Sequence, residues 1–324
     1  MGSFSVVAWI ALSILSSTSL ILLMKLVKTR LTCKYTITLS TFHFLTTWIG
    51  LEVLACMGAI RRTTSVPFFK RVLLAFLVMT SIISMNFNLG SNSIGFYQMS
   101  KLCCIPYMLI WNTINGKAKY TAREVISLAI LLFGVALFSV SDVEVNLIGT
   151  IYAIIAVVST AHNQMMTGEL QKEYKLNGPE LQLAVIPSEF AFGVICSAFL
   201  ENIGENTFIS ASFDKTDVLL ILGTCVFAVG VNIATFGLIG KTSSVTYQVV
   251  GHAKTVLLLV FGYIFFPSKW ESTAQCVRAI SGIVIALIGV FYYTKVKLDL
   301  ASQSQMLKEE KQPFLEEENK ENRA

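Results

Sequence analysis

Ser244-Val245-Thr246-Tyr247-Gln248-Val249-Val250-Gly251-His252-Ala253-Lys254-Thr255 continues without another charge into Val256 and on to Phe266. Wound as a helix, residues 244–266 rise roughly 34 Å, enough to cross the ~30 Å hydrocarbon core of a bilayer. The single cation of the stretch, Lys254, falls near its centre. A lysine at that depth costs roughly 2.5–3.5 kcal/mol on insertion scales, so its presence points to function.

The rest of the chain has the same character. Of 324 residues, 54% are hydrophobic and 14% charged, and the mean hydropathy is +0.66. A domain folded in water needs a polar shell, with about a quarter of its residues charged. Further apolar runs occupy 4–24, 36–58, 70–89, 93–114, 124–141, 147–167, 180–200, 217–239 and 275–294. None alternates at period two, which excludes a membrane barrel. The expectation is an all-α polytopic membrane protein of about ten transmembrane helices. The run from Phe4 to Met24 is too long for a signal-peptide core and has no basic residue before it, so it reads as a retained first helix.

Most of the charge lies in the connections and the tail. The net charge of +5 forms no basic stripe, and no nucleic-acid partner is expected. An even number of spans puts both termini on one side, and the basic loops name that side as cytosolic. Arg61, Arg62, Lys70, Arg71, Lys117, Lys119, Arg123, Lys172 and Lys175 fall there, while Asp142, Glu144, Glu201, Glu205 and Asp214 fall opposite. The first loop, with Lys25, Lys28, Arg30 and Lys34, runs against the pattern. Beyond residue 298 the chain turns polar and Glu-rich, as a solvated tail does. The seven cysteines show no CxxC spacing, the three histidines no metal-ligand spacing, and no phosphate-binding or hydrolase motif occurs. The reading requires no cofactor and no metal, and it is not that of an enzyme.

The opening stretch has an echo. Ser93-Ile94-Gly95-Phe96-Tyr97-Gln98 leads to Lys101 as Ser244-Val245-Thr246-Tyr247-Gln248 leads to Lys254. Each is followed by a break and one more apolar span. Two halves of five helices must insert in opposite senses, so the repeat predicts an inverted 5+5 arrangement with halves 1–145 and 146–297 and a tail 298–324. Lys101 stands one turn beyond Tyr97, and Lys254 two turns beyond Tyr247, each pair on one face. Two midplane cations facing one cavity would attract a phosphate or another anion. Tyr97, Tyr247, Gln248 and Asn232 are polar-tipped neighbours suited to a base or a sugar, or to bonding between helices. Gly251 offers either a close approach for a ligand or plain packing. Glu52 and Glu189 are the acids inside spans.

Lys241-Thr242-Ser243 followed by the opening stretch through Thr255 resembles the ninth helix of the nucleotide-sugar and triose-phosphate translocator family, within the drug/metabolite transporter superfamily. Thr38-Leu39-Ser40-Thr41-Phe42-His43-Phe44 resembles its second helix and Ser93 to Leu102 its fourth. Gly134-Val135-Ala136-Leu137, with Ser141 to Gly149, resembles helix five and the loop after it. The resemblance implies alternating access, antiport, and phosphates held by Lys101 and Lys254. Sugar-phosphate members have an arginine after the helix-nine lysine, where this chain has Thr255. The Lys-Thr pair is similar to the subgroup carrying nucleotide sugars, chiefly UDP-sugars in the Golgi. A single ammonium captures a terminal dianionic phosphate less well than an added bidentate guanidinium.

Two departures bear on the cargo. Met24-Lys25 stands where the family often has Asn-Lys. Leu183-Ala184-Val185-Ile186-Pro187 stands where relatives often carry a polar cluster that reads the base or sugar. The expectation is therefore a Golgi (or endoplasmic reticulum) antiporter exchanging a cytosolic UDP-sugar for lumenal UMP. Lys101, Lys254, Thr255, Tyr97, Tyr247, Gln248, Asn232 and Gly251 line its pocket. The alternative is a sugar-phosphate/inorganic phosphate exchanger. A homodimer is compatible with either.

Overall fold

In a computed structural model the residues described are 6–30, 35–92, 94–139, 146–202, 207–208, 210–265, 277–278, 280–300 and 303. All of the regular structure among them is helical. The helices are α1 (Val6–Arg30), α2 (Thr36–Cys56), α3 (Phe68–Ser91), α4 (Ile94–Leu102), α5 (Cys104–Ile114), α6 (Ala122–Ser139), α7 (Leu147–Glu173), α8 (Gly178–Leu200), α9 (Lys215–Lys241) and α10 (Ser244–Phe265). A further helix, α11, covers 280–300. Among the described residues, five helices (the first 19 residues of α1, then α2, α3, α8 and α9) are long and apolar enough to cross a membrane. The tail beyond 300 lies outside the described residues, apart from 303.

Hydropathy finds the helices because each is an apolar run closed by breakers. The ends are set by local chemistry. Asn177 and Glu180 close a capping box at the start of α8, and Asp214 and Asp217 do the same for α9. The run 93–114 is the exception: it forms two helices, α4 and α5, parted at Cys103. Pro106 is the physical reason. Lacking an N–H, it cannot bond the Leu102 carbonyl one turn back, and its ring crowds that turn. Cys103 N–H bonds the Ser100 carbonyl at 3.1 Å, a tighter turn than an α-helix makes.

Packing follows a definite pattern. α1 lies against α9, α3 against α7, and α2 against α8, with α2 also touching α9 and α3 touching α8. The α1–α9 contact is a seam of three glycines at heptad spacing. A Cβ placed on Gly223 would meet Leu23 Cδ1 at 3.2 Å, one on Gly230 would meet Ser16 Cβ at 2.8 Å, and one on Gly237 would meet the Trp9 ring at 2.5 Å. Trp9, Ser16 and Leu23 repeat at the same heptad step on the facing helix. Antiparallel backbones thus approach closely along the whole seam. The α6–α11 crossing is tight in another way. Gly134 abuts the backbone of Gly282 and Ala286, and Gly289 abuts that of Leu131.

Ion pairs tie the helix ends. Arg30 reaches Asp214 and Asp217, each at 2.8 Å. The basic residue that ran against the loop pattern is thereby neutralised by acids at its own end of the bundle. Lys70 pairs with Glu173 at 2.6 Å and holds that carboxyl below the usual carboxylate range. Lys117 pairs with Glu169, and Arg62 with Glu52. Glu201 accepts the N–H groups of Ile37 and Thr38, both at 2.7 Å, so a carboxylate from the end of α8 caps the first turn of α2.

Candidate functional site

Lys101 is the last residue but one of α4, two positions before the break at Cys103. Its Nζ lies 4.1 Å from the centroid of the Tyr97 ring, a cation–π contact between neighbouring turns of one helix. The ammonium is thus held by its own helix. Lys254 sits mid-way along the unbroken α10. Its Nζ donates to Ser13 Oγ on α1 at 3.0 Å and lies 5.9 Å from the Tyr247 centroid. Both side chains are only part-exposed.

The other predicted residues are placed as follows. Tyr247 shares a hydrogen bond with Thr235 of α9, hydroxyl to hydroxyl, at 3.1 Å. Asn232 donates to the buried Thr47 of α2 at 2.9 Å. Asn232 also borders a cavity of about 90 Å³ with Leu20, Ser40, His43, Ile82 and Val231. That space suits a few waters; drug-sized ligands need some 300 Å³ or more. A Cβ on Gly251 would meet nothing within 4 Å among the described residues. Gln248 is part-buried on the same helix. Thr255 lies within α10, but its side chain is outside the described residues, as is that of Gln98.

Helix geometry brings Tyr247, Gly251 and Lys254 to one face of α10 and Val245, Val249 and His252 to another. Val245 and Val249 join a core with Leu102, Ile105 and Met108. His252 is 7% exposed, its Nε2 has no hydrogen-bond partner among the described residues, and it lies within electrostatic reach of Lys101. The face of α10 opposite Lys254 thus joins a core that also holds Leu102 of α4 and Ile105 and Met108 of α5. Glu189 is almost wholly buried in α8, two residues past Pro187. Glu52, by contrast, is exposed at the end of α2 in its pair with Arg62.

Sequence reasoning missed Ser13. It is 241 positions from Lys254, and nothing in its own neighbourhood marks it. It also missed Thr47 and Thr235, the hydroxyls that hold Asn232 and Tyr247.

A bundle with helices apolar enough to cross a membrane, carrying two part-exposed lysines and a set of polar side chains along them, is the arrangement of a membrane protein with a polar site. The model of the Triose-phosphate Transporter family matches residues 4–294, and the chain belongs to that family. Among its relatives is UDP-xylose transporter 3 of Arabidopsis thaliana, 34% identical over 96% of this chain and 88% of the relative. UDP-rhamnose/UDP-galactose transporter 2 of the same plant is 32% identical over 87% of this chain and 80% of the relative. A solved crystal structure of a protein with 9% identity aligns over 88% of this chain and 98% of its own with a TM-score of 0.66, a likeness of fold.

Proposed function

We propose that this protein is a nucleotide-sugar antiporter of the Golgi membrane, exchanging a cytosolic UDP-sugar for lumenal UMP by alternating access. The observation that carries the reading is the pair Lys101 and Lys254. Each is a part-buried ammonium with no carboxylate partner among the described residues, one over a tyrosine ring and one on a serine hydroxyl. Neither contact neutralises a charge, so the pair is suited to an anionic cargo. The relatives, named for UDP-sugars, give that anion its class.

In this reading Lys101 and Lys254 hold the phosphates. Tyr97, Tyr247, Gln248, Asn232, Gly251 and Thr255 complete the pocket. A pyrophosphate diester presents less charge at any one point than a terminal phosphate and gains contacts from base and sugar. Exchange follows from electrostatics: two unneutralised ammoniums are costly to enclose in an empty, closed carrier, and any bound nucleotide relieves that cost.

Ten spans in two inverted halves, with both termini cytosolic, accommodate the helix pairing. If α1, α2 and α3 correspond to α7, α8 and α9, the contact α1–α9 has α3–α7 as its counterpart, and α2–α9 has α3–α8. Cysteines placed near Arg62 and near Asp214 should label from opposite sides of sealed vesicles. Labelling of both from one side would overturn this topology.

The transport test uses purified protein in liposomes. Vesicles preloaded with UMP should take up UDP-xylose or UDP-galactose far faster than empty ones. Equal uptake into empty vesicles would remove exchange from the reading. A preference for inorganic phosphate over UMP as counter-substrate would replace it with a sugar-phosphate exchanger.

A further inference from the structure

Serines in the apolar helices of this protein, buried or part-buried, have a usual habit. Ser16 returns its hydroxyl to the Leu12 carbonyl, Ser17 to Ser13, Ser40 to Thr36 and Ser159 to Ile155, each one turn back along its own helix. Ser13 makes no such bond among the described residues. It is 2% exposed, and its oxygen accepts from Lys254 Nζ, on a helix of the other half of the chain.

The position of Ser13 is tightly controlled. It lies on α1 between Trp9 and Ser16, two of the three residues seated on the glycine seam of α9. At Gly230 any Cβ would collide with Ser16 Cβ at 2.8 Å, one turn from Ser13. The seam therefore fixes how far α1 stands from α9, and with it where the Ser13 oxygen lies relative to α10. On the far side of the ammonium, the Tyr247 ring is held by its own bond to Thr235, again on α9. Both neighbours of Lys254 are thus anchored to one helix.

We infer that Ser13 is a positioning residue for Lys254, held in place by the Gly223–Gly230–Gly237 seam, and that it aims the free N–H groups of the ammonium at the phosphates of the transported nucleotide. The last clause rests on the function proposed above; the first does not. An ammonium has three N–H donors. One is taken by Ser13. Fixing one donor confines the other two to a cone, so less rotamer freedom is lost when an anion binds. Ser13 itself need not touch the cargo.

Two readouts test this in purified full-length protein. The first is nucleotide exchange with UMP as the probe. Ser13→Ala, and Ser13→Cys, which keeps the volume but offers a weak acceptor, should each raise KM for UMP about tenfold while Vmax changes little, the cost of a hydrogen bond to a charged group. Ser13→Thr keeps the oxygen and should restore KM to near the parent value. Gly230→Ala, which pushes α1 outward, should raise KM in the same direction. The second readout needs no substrate: the rate of reductive methylation of Lys254, followed by peptide mass spectrometry, should rise several-fold in Ser13→Cys and not in Ser13→Thr. Unchanged KM and unchanged methylation in Ser13→Cys would overturn the inference, and so would a loss of Vmax at constant KM. Should the parent protein bind no nucleotide, the proposed cargo falls, while the methylation rates still decide whether Ser13 holds Lys254.

Discussion

The two lysine-bearing segments share a Ser, a Tyr-Gln pair and a following lysine, and end in different structures. Ser93 to Lys101 is cut short by the Pro106 break, so Lys101 finds itself at a helix end with its charge over the ring of its own Tyr97. Ser244 to Phe265 is one helix, and Lys254 at its middle reaches across to α1 for Ser13. The two cations differ in their support: local and soft for Lys101, long-range and directional for Lys254. The difference predicts that Lys254 sets where the anion sits, while Lys101, on a segment parted from the next helix at Cys103, follows it.

The largest expected effect separates these roles. Lys254→Ala should weaken UMP binding by roughly a hundredfold or more, the loss of a charged, hydrogen-bonded contact in a poorly solvated site. Lys101→Ala should cost less, roughly tenfold, with Lys101→Arg partly tolerated because the ring contact accepts a guanidinium. Binding measured by calorimetry on detergent-purified protein decides the order. Equal losses at the two positions would dissolve the asymmetry; a larger loss at Lys101 would reverse it.

The next effect comes from mending the break. Pro106→Ala returns the N–H that the Leu102 carbonyl lacks and should join α4 to α5, making the first segment resemble the second. If flexing at Cys103 is what lets Lys101 follow the cargo, the exchange rate should fall several-fold while UMP affinity stays close to the parent value. The variant should also gain a little stability, since it restores a backbone hydrogen bond worth roughly 0.5–1.5 kcal/mol. A raised Tm with undiminished exchange would show that the break is tolerated and has no role in transport.

How much of this could be read in advance depends on distance along the chain. The helices were legible because each is an apolar run with its own stop signals, and Tyr97 with Lys101 because they are one turn apart. The split at Cys103 was written in Pro106, but a proline within a membrane run is common enough to pass as a kink. Ser13 was not legible: a serine in a run of Ser16, Ser17 and Ser19 looks like ordinary small-residue packing until the fold sets it beside Lys254. The glycine seam stood between these cases. Gly223, Gly230 and Gly237 recur every seven residues, as do Trp9, Ser16 and Leu23, but only the antiparallel pairing of α1 with α9 makes the two series one contact. Arg30 shows the converse. It looked like a misplaced charge because loop counting cannot see that Asp214 and Asp217 lie at the same end of the bundle.

The smallest effect tests the supports rather than the lysines. Tyr247 is fixed by two features, its ring near Lys254 and its hydroxyl on Thr235; for Tyr97 the feature in use is the ring over Lys101. Removing only the hydroxyl should therefore matter in one segment and not in the other. Tyr247→Phe strands the Thr235 hydroxyl, although Thr235 keeps its bond to the Val231 carbonyl. The expected loss is about 1 kcal/mol, seen as a modest fall in Tm and a several-fold rise in KM as the ring loosens beside Lys254. Tyr97→Phe keeps the π-face and should leave both quantities nearly unchanged, whereas Tyr97→Leu removes it and should cost on the order of 1 kcal/mol. Parallel behaviour of the two Tyr→Phe variants would mean that both rings are held alike, and the contrast between a local and a long-range support would then rest on Ser13 alone.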